Sequence, residues 1–130
     1  MKKNSLIAAF LLLAGSLSAQ SLSDVWVPDL GNGKYKNPII DADYSDPDVC
    51  RVGDDYYMTS SSFNCIPALQ ILHSKDLVNW TIIGYAAERL KPEDVFSKPQ
   101  HGNAVWAPSI RYHNGEFYVC YGDPDRGIYM

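Results

Sequence analysis

The sequence is poor in cysteine, in positive charge and in helical periodicity, and each shortage removes a class of protein. Three cysteines, Cys50, Cys65 and Cys120, stand far apart without a CxxC pair, a poor pattern for zinc. Their odd number excludes complete pairing, and apolar or aromatic neighbours lead us to expect buried, inert thiols. Eleven Lys and Arg against fifteen Asp and Glu give a formal net charge of -4. No basic stripe offers a phosphate backbone a footprint, so no nucleic acid partner is expected. After the first twenty residues no stretch repeats apolar side chains at a helical interval. The one long apolar run, residues 6–14, falls short of the about 20 residues that span a bilayer.

That run has a different explanation. Lys2 and Lys3 precede it, and the small residues Ser16, Ser18 and Ala19 follow it. This is the layout of a secretory signal peptide over residues 1–19, and it predicts an exported protein, periplasmic or extracellular. A buried core helix is the alternative, but it leaves the basic start and small-residue end unaccounted for. Residues 20–36 are polar and contain glycine, and they read as a leader before the fold.

From Asn37 onward the chain reads as short strands. Residues 49–52, 56–61, 69–73 and 80–85 combine aromatic and β-branched side chains between Gly, Asp and Asn punctuation. Residues 53–55 and 74–79 are the turns between them. Residues 92–102, charged and holding two prolines, are expected to be a loop.

The pattern then repeats. Asp46-Pro47-Asp48-Val49 overlays Ala107-Pro108-Ser109-Ile110 without a gap. Continued, Gly53-Asp54 meets Asn114-Gly115 and Tyr56-Tyr57 meets Phe117-Tyr118. A spacing of about 60 residues, each copy opening a run of strands, fits the blades of a β-propeller. Two hairpins of an ordinary sandwich give a similar pattern. Four blades of that size need about 240 residues, so the chain is expected to be the N-terminal piece of a longer protein. It holds one blade, part of a second and a further strand from Gly127.

The segment DADYSDPDVC, residues 41–50, concentrates the chemistry. As a calcium loop it fails, because Asp46 occupies the tight-turn glycine position and Val52 the bidentate glutamate position. No metal site is expected here. Asp and Ser before Pro favour turns, which accounts for Asp41 and Asp43. Asp46 is different: its counterpart in the second copy is Ala107, so the fold itself does not require a carboxylate there. At the start of an inner propeller strand, Asp46 would face a central cleft, with Trp106 as an aromatic wall. An acid beside aromatics suits sugars.

Three segments, NPIIDADYSDPDVCRVGDDYYMTSSSF, LHSKDLVNW and VWAPSIRYHNGEFYVCYGDPDRGIYM, together resemble glycoside hydrolase family 43 from Asn37 to the end of the chain. The resemblance implies an all-β, five-bladed β-propeller, of which this chain holds only the first blade and part of the second. It implies hydrolysis of O-glycosidic bonds with release of xylose or arabinose. The expected substrates are oligosaccharides derived from xylan, arabinoxylan or arabinan. By the same similarity Asp46 is the general base of an inverting mechanism. Its partner acid, roughly 6.5–9.5 Å away in such enzymes, and a tuning aspartate belong to sequence after Met130.

Phe63 and Trp106 match positions that wall the sugar pocket, a core aromatic of the blade being the alternative for Phe63, and His101 is the candidate for the pocket rim. Asp123 and Asp125 are loop residues by this reading, and His73 and Trp80 serve packing and turn formation. Cys65 and Ile66 stand where many relatives carry bulkier side chains, which bears on sugar preference. No cofactor is expected to be required, and since some members of the resembled family carry a channel ion on later residues, a structural calcium ion in the complete propeller is the one addition the resemblance allows. The rival readings are a non-catalytic glycan-binding propeller lacking the later acid, and an inactive truncated fragment.

Overall fold

The computed structural model describes residues 26–130; the expected signal peptide and residues 20–25 of the leader lie outside the described residues. The first sheet comprises β1 (Asp48–Val52), β2 (Asp55–Thr59), β3 (Ala68–Ser74) and β4 (Thr81–Ala87). A single helical turn, α1 (Glu93–Phe96), precedes the second sheet of β5 (Trp106–His113), β6 (Glu116–Asp123) and β7 (Gly127–Tyr129). Both sheets are antiparallel meanders, in the orders β1-β2-β3-β4 and β5-β6-β7. The architecture is all-β, in two partial sheets with no closed ring among the described residues.

Turn chemistry sets the register. Val52 pairs with Asp55 across Gly53-Asp54, and His113 pairs with Glu116 across Asn114-Gly115. Asn114 and Gly115 both take positive φ, 51° and 89°, the twist that lets a two-residue turn join strands without splaying them. Between β3 and β4 the Asp76 carboxylate accepts the N–H groups of Val78 and Asn79, and the Ser74 hydroxyl accepts those of Asp76 and Leu77. The strand expected from Gly127 is β7, which pairs with β6 and so completes the second sheet's third position.

Two expectations are corrected. Within the expected loop 92–102, residues 93–96 form α1. Four residues are too few to show a helical period, but the local chemistry favours the turn. Glu93 and Asp94 occupy its positive end, Arg89 and Lys91 pair with Glu93, and Phe96 is buried. The thiols are free, as expected of an unpaired set, but they are not buried: Cys50 and Cys120 are half-buried and Cys65 is exposed. Cys65 lies with Ile66 and Pro67 in a surface connection, so apolar neighbours in sequence give it no cover.

Ala68, Leu69, Leu90, Phe96, Ala104 and Val105 form the core that joins the two sheets. Full burial of a Leu or Val side chain contributes about 1.5–3 kcal/mol, so this small cluster decides how the sheets sit. Beside it Tyr57 of β2 packs on Phe117 of β6, with ring centroids 4.7 Å apart. Asp48 adds a polar latch: its carboxylate accepts the N–H of Ile110, at 2.7 Å, and pairs with Arg111. Burial raises the Asp48 carboxyl, but the Ile110 N–H, Arg111 and the Ser109 hydroxyl outweigh it and hold it below the ordinary carboxylate range.

Candidate active site

The site forms where three pieces of chain meet: the entry to β1, the segment leaving β2, and the entry to β5. Asp46 enters β1 one residue before Pro47 with φ +50°, and Ala107 stands before Pro108 with φ +41°. The left-handed region costs an L-residue other than glycine roughly 1–2 kcal/mol, though Asp tolerates it best through local hydrogen bonds. Both copies accept that strain, so the turn belongs to the fold and the carboxylate is an addition to it.

Asp46 is exposed, and one of its two oxygens is fixed. Oδ2 accepts the Ser45 hydroxyl at 2.9 Å and the Ser61 hydroxyl at 3.0 Å. Oδ1 has no donor among the described residues. Ser61 is 5% exposed, and its backbone N–H donates to Ser45 O at 2.9 Å. Its hydroxyl oxygen also accepts the Ala107 N–H at 2.8 Å. One buried hydroxyl therefore touches the entries of both sheets.

The aromatics converge by backbone bonds. Phe63, at φ +52°, exchanges two hydrogen bonds with Val105, 3.0 and 3.1 Å, which sets it one residue from Trp106. Phe63 is 37% and Trp106 43% exposed, so neither ring is a core residue and both have surface for a ligand. The Trp106 indole N–H donates to Gly102 O at 2.7 Å, and the Gly102 N–H donates to Asn64 Oδ1 at 3.2 Å. His101 sits on this tethered loop, exposed, at φ +51°. Asp46, Phe63, Trp106 and His101 are thus carried on segments bonded to one another.

Ser61 and Asn64 were not singled out by the sequence. Their signal was a polar run directly after a strand: Ser60, Ser61 and Ser62 are all buried, and each hydroxyl holds a neighbour. Ser60 accepts Gln70, and Ser62 accepts the Leu69 N–H. Asp123 and Asp125 are committed elsewhere. Asp123 is buried and accepts the N–H groups of Asp125 and Arg126, while Asp125 accepts Asn103. Asp125 lies in the turn before β7, as expected, but Asp123 is corrected: it is the last residue of β6, and its carboxylate shapes that turn by accepting the N–H groups that follow. His73 bonds Asp55 and Trp80 donates to Leu77 O, which places them in packing and turn formation.

Among the described residues no three His, Cys, Asp or Glu side chains converge as metal ligands, so no ion is assigned here. A cavity of about 460 Å³ touches Trp106 and Ala107 but not Asp46, and is otherwise lined by the β5-β6-β7 sheet. Ser109 and Cys120, which pair across β5 and β6, face it, away from the side that carries Phe117 onto Tyr57. The fixed carboxylate, and not this hollow, defines the site. A carboxylate with one free oxygen beside two exposed rings can accept a proton while a sugar stacks.

Known proteins are similar to this chain in sequence and in fold. The chain is 40% identical over 100 residues to a non-reducing end α-L-arabinofuranosidase of Bacteroides ovatus, covering 75% of this chain and 19% of that protein. It is 41% identical over 90 residues to a β-xylosidase of Bacillus subtilis, covering 69% and 17%. A solved GH43 protein of Bacillus licheniformis superposes with a TM-score of 0.59 at 41% identity, over 69% of this chain and 18% of that one. A bifunctional GH43-CE protein of Bacteroides eggerthii gives a TM-score of 0.60 at 37% identity, over 68% and 12%. The chain therefore spans less than a fifth of the length of these relatives. The model of the glycosyl hydrolases family 43 matches residues 35–130, and with these identities the chain belongs to that family of glycoside hydrolases.

Proposed function

We propose that this chain supplies the general base and part of the sugar pocket of an exported, inverting glycosidase of β-xylosidase or α-L-arabinofuranosidase type, built as a five-bladed β-propeller. The observation that carries the reading is Asp46, a carboxylate held through Oδ2 and open at Oδ1, at the junction that also bears Phe63 and Trp106. Asp46 takes a proton from water as the water oxygen bonds to the anomeric carbon. A carboxylic acid supplied outside this chain protonates the departing glycosidic oxygen. Phe63 and Trp106 offer ring faces to the sugar, with His101 at the rim. The substrates are xylose- or arabinose-bearing oligosaccharides of xylan, arabinoxylan or arabinan type. Family membership and the named activities of the relatives support this substrate class.

The test uses the whole protein recovered from the exported fraction, with Gln20 as the first residue found by N-terminal sequencing. Aryl β-xyloside and aryl α-arabinofuranoside are assayed with wild type and Asp46→Ala. Wild-type turnover that falls at least about a thousandfold in a folded Asp46→Ala supports the base. Equal rates reduce Asp46 to a turn residue. Sugar binding without turnover in either form makes the protein a glycan binder.

A further inference from the structure

We propose that Ser61 is the positioning residue of the Asp46 carboxylate, pinning Oδ2 so that Oδ1 is the oxygen that receives the proton from water. This rests on the reading of Asp46 as the general base. A serine hydroxyl has one proton to give and two lone pairs to receive with. The Ala107 N–H occupies a lone pair of the Ser61 oxygen at 2.8 Å, and Asp46 Oδ2 lies 3.0 Å away. An ionised carboxylate only accepts, so the single hydroxyl proton is directed to Oδ2. Ser61 is 5% exposed, and water does not compete for that proton.

Ser45 bonds the same oxygen from an exposed position next in sequence, where solvent can take its place. The two serines are therefore unequal, and the buried one governs. With two donors on Oδ2, negative charge is stabilised there while Oδ1 stays without a donor among the described residues. The proton then moves from the water O–H to Oδ1 as the water oxygen bonds to carbon. The glycosidic C–O bond breaks, and its oxygen takes the proton of the separate acid. Ser61 is also bonded to the residue after Trp106, so one hydroxyl fixes the base relative to the aromatic wall.

The experiment measures kcat and KM on aryl xylosides in the whole protein, per folded molecule by circular dichroism. Ser61→Ala is expected to lower kcat about 10- to 100-fold, the worth of a hydrogen bond to a charged group. KM should stay within about twofold, and Ser45→Ala should cost less than about threefold. The loss is expected to be equal for good and poor leaving groups, because the acid is untouched. Ser61→Thr, which keeps the hydroxyl, should recover most of the rate.

The decisive arm places Ser61→Ala in an Asp46→Asn background. A residue acting through the base costs nothing more there, and a residue that only holds the fold still does. Where Ser61→Ala does not fold, Ser61→Cys, of similar volume and weaker hydrogen bonding, is read the same way. A wild-type kcat in Ser61→Ala beside an inactive Asp46→Ala overturns the role of Ser61 and spares the base. A further loss in the Asp46→Asn background also overturns it, and an active Asp46→Ala removes both readings.

Discussion

At the scale of single residues, the site was legible where the two copies disagree and hidden where a residue type is common. Asp46 could be read because Ala107 holds the same place without a carboxylate, and the shared positive φ shows that the turn does not depend on the acid. Trp106 could be read from its place before that turn. Ser61 could not, because serines at the end of an expected strand do not show what their hydroxyls bond until the second sheet is folded against them. Trp106 is tethered by its own indole N–H to Gly102 O, so its ring is held ready before any ligand arrives. Trp106→Ala is expected to raise KM roughly tenfold, the loss of one stacked sugar face, with a smaller change in kcat. Steady-state kinetics on the aryl glycosides checks this, and a fall in kcat alone would argue against a binding wall.

At the scale of elements, the strands of the first sheet were read to within one or two residues, the widest misses being β2, which ends at Thr59 rather than Ser61, and β4, which ends at Ala87 rather than Tyr85. Alternation and turn residues are local signals, and these hairpins are local structures. What escaped was short or tertiary: α1 is one turn long, and the cover over each cysteine depends on segments distant in sequence. The turn from β3 to β4 shows how local chemistry sets an element. Asp76 accepts the N–H and side chain of Asn79, then the N–H of Val78 and the Ser74 hydroxyl, which lowers its pKa from 3.8 to about 2. Because the folded value lies below the unfolded one, this stabilisation is complete above about pH 4 and is lost as pH falls towards 2. Asp76→Asn should therefore lower the melting temperature at pH 6 and narrow its gap to wild type at pH 2.5. Thermal unfolding at both values decides it, and an equal gap at the two would mean that the charge plays no part.

At the scale of the whole molecule, the first sheet is packed at one edge and open at the other. Strands β1 and β5 are pressed together, while β4 ends the first sheet as an edge among the described residues, its Ile82, Ile83 and Tyr85 being 48%, 57% and 49% exposed. An apolar edge without charge is a template for further pairing. The chain by itself is expected to self-associate through this edge, and Ile83→Lys should shift it towards monomer in light scattering. The number of blades is a different matter. It came from the family resemblance, since strand spacing measures the size of one blade and not how many close the ring.

The bond from the Ala107 N–H to the Ser61 hydroxyl spans 46 residues of chain. At a synthesis rate of about 5–20 residues per second, those residues take roughly 2–9 s to be made. During that interval the Ser61 hydroxyl exists without the Ala107 N–H that it accepts. A nascent chain therefore has both hydroxyl partners of Asp46, Ser45 and Ser61, before the second sheet exists, and ties them to the Trp106 segment only when that sheet docks. Docking of the two sheets is therefore the step that sets the carboxylate against the Trp106 ring.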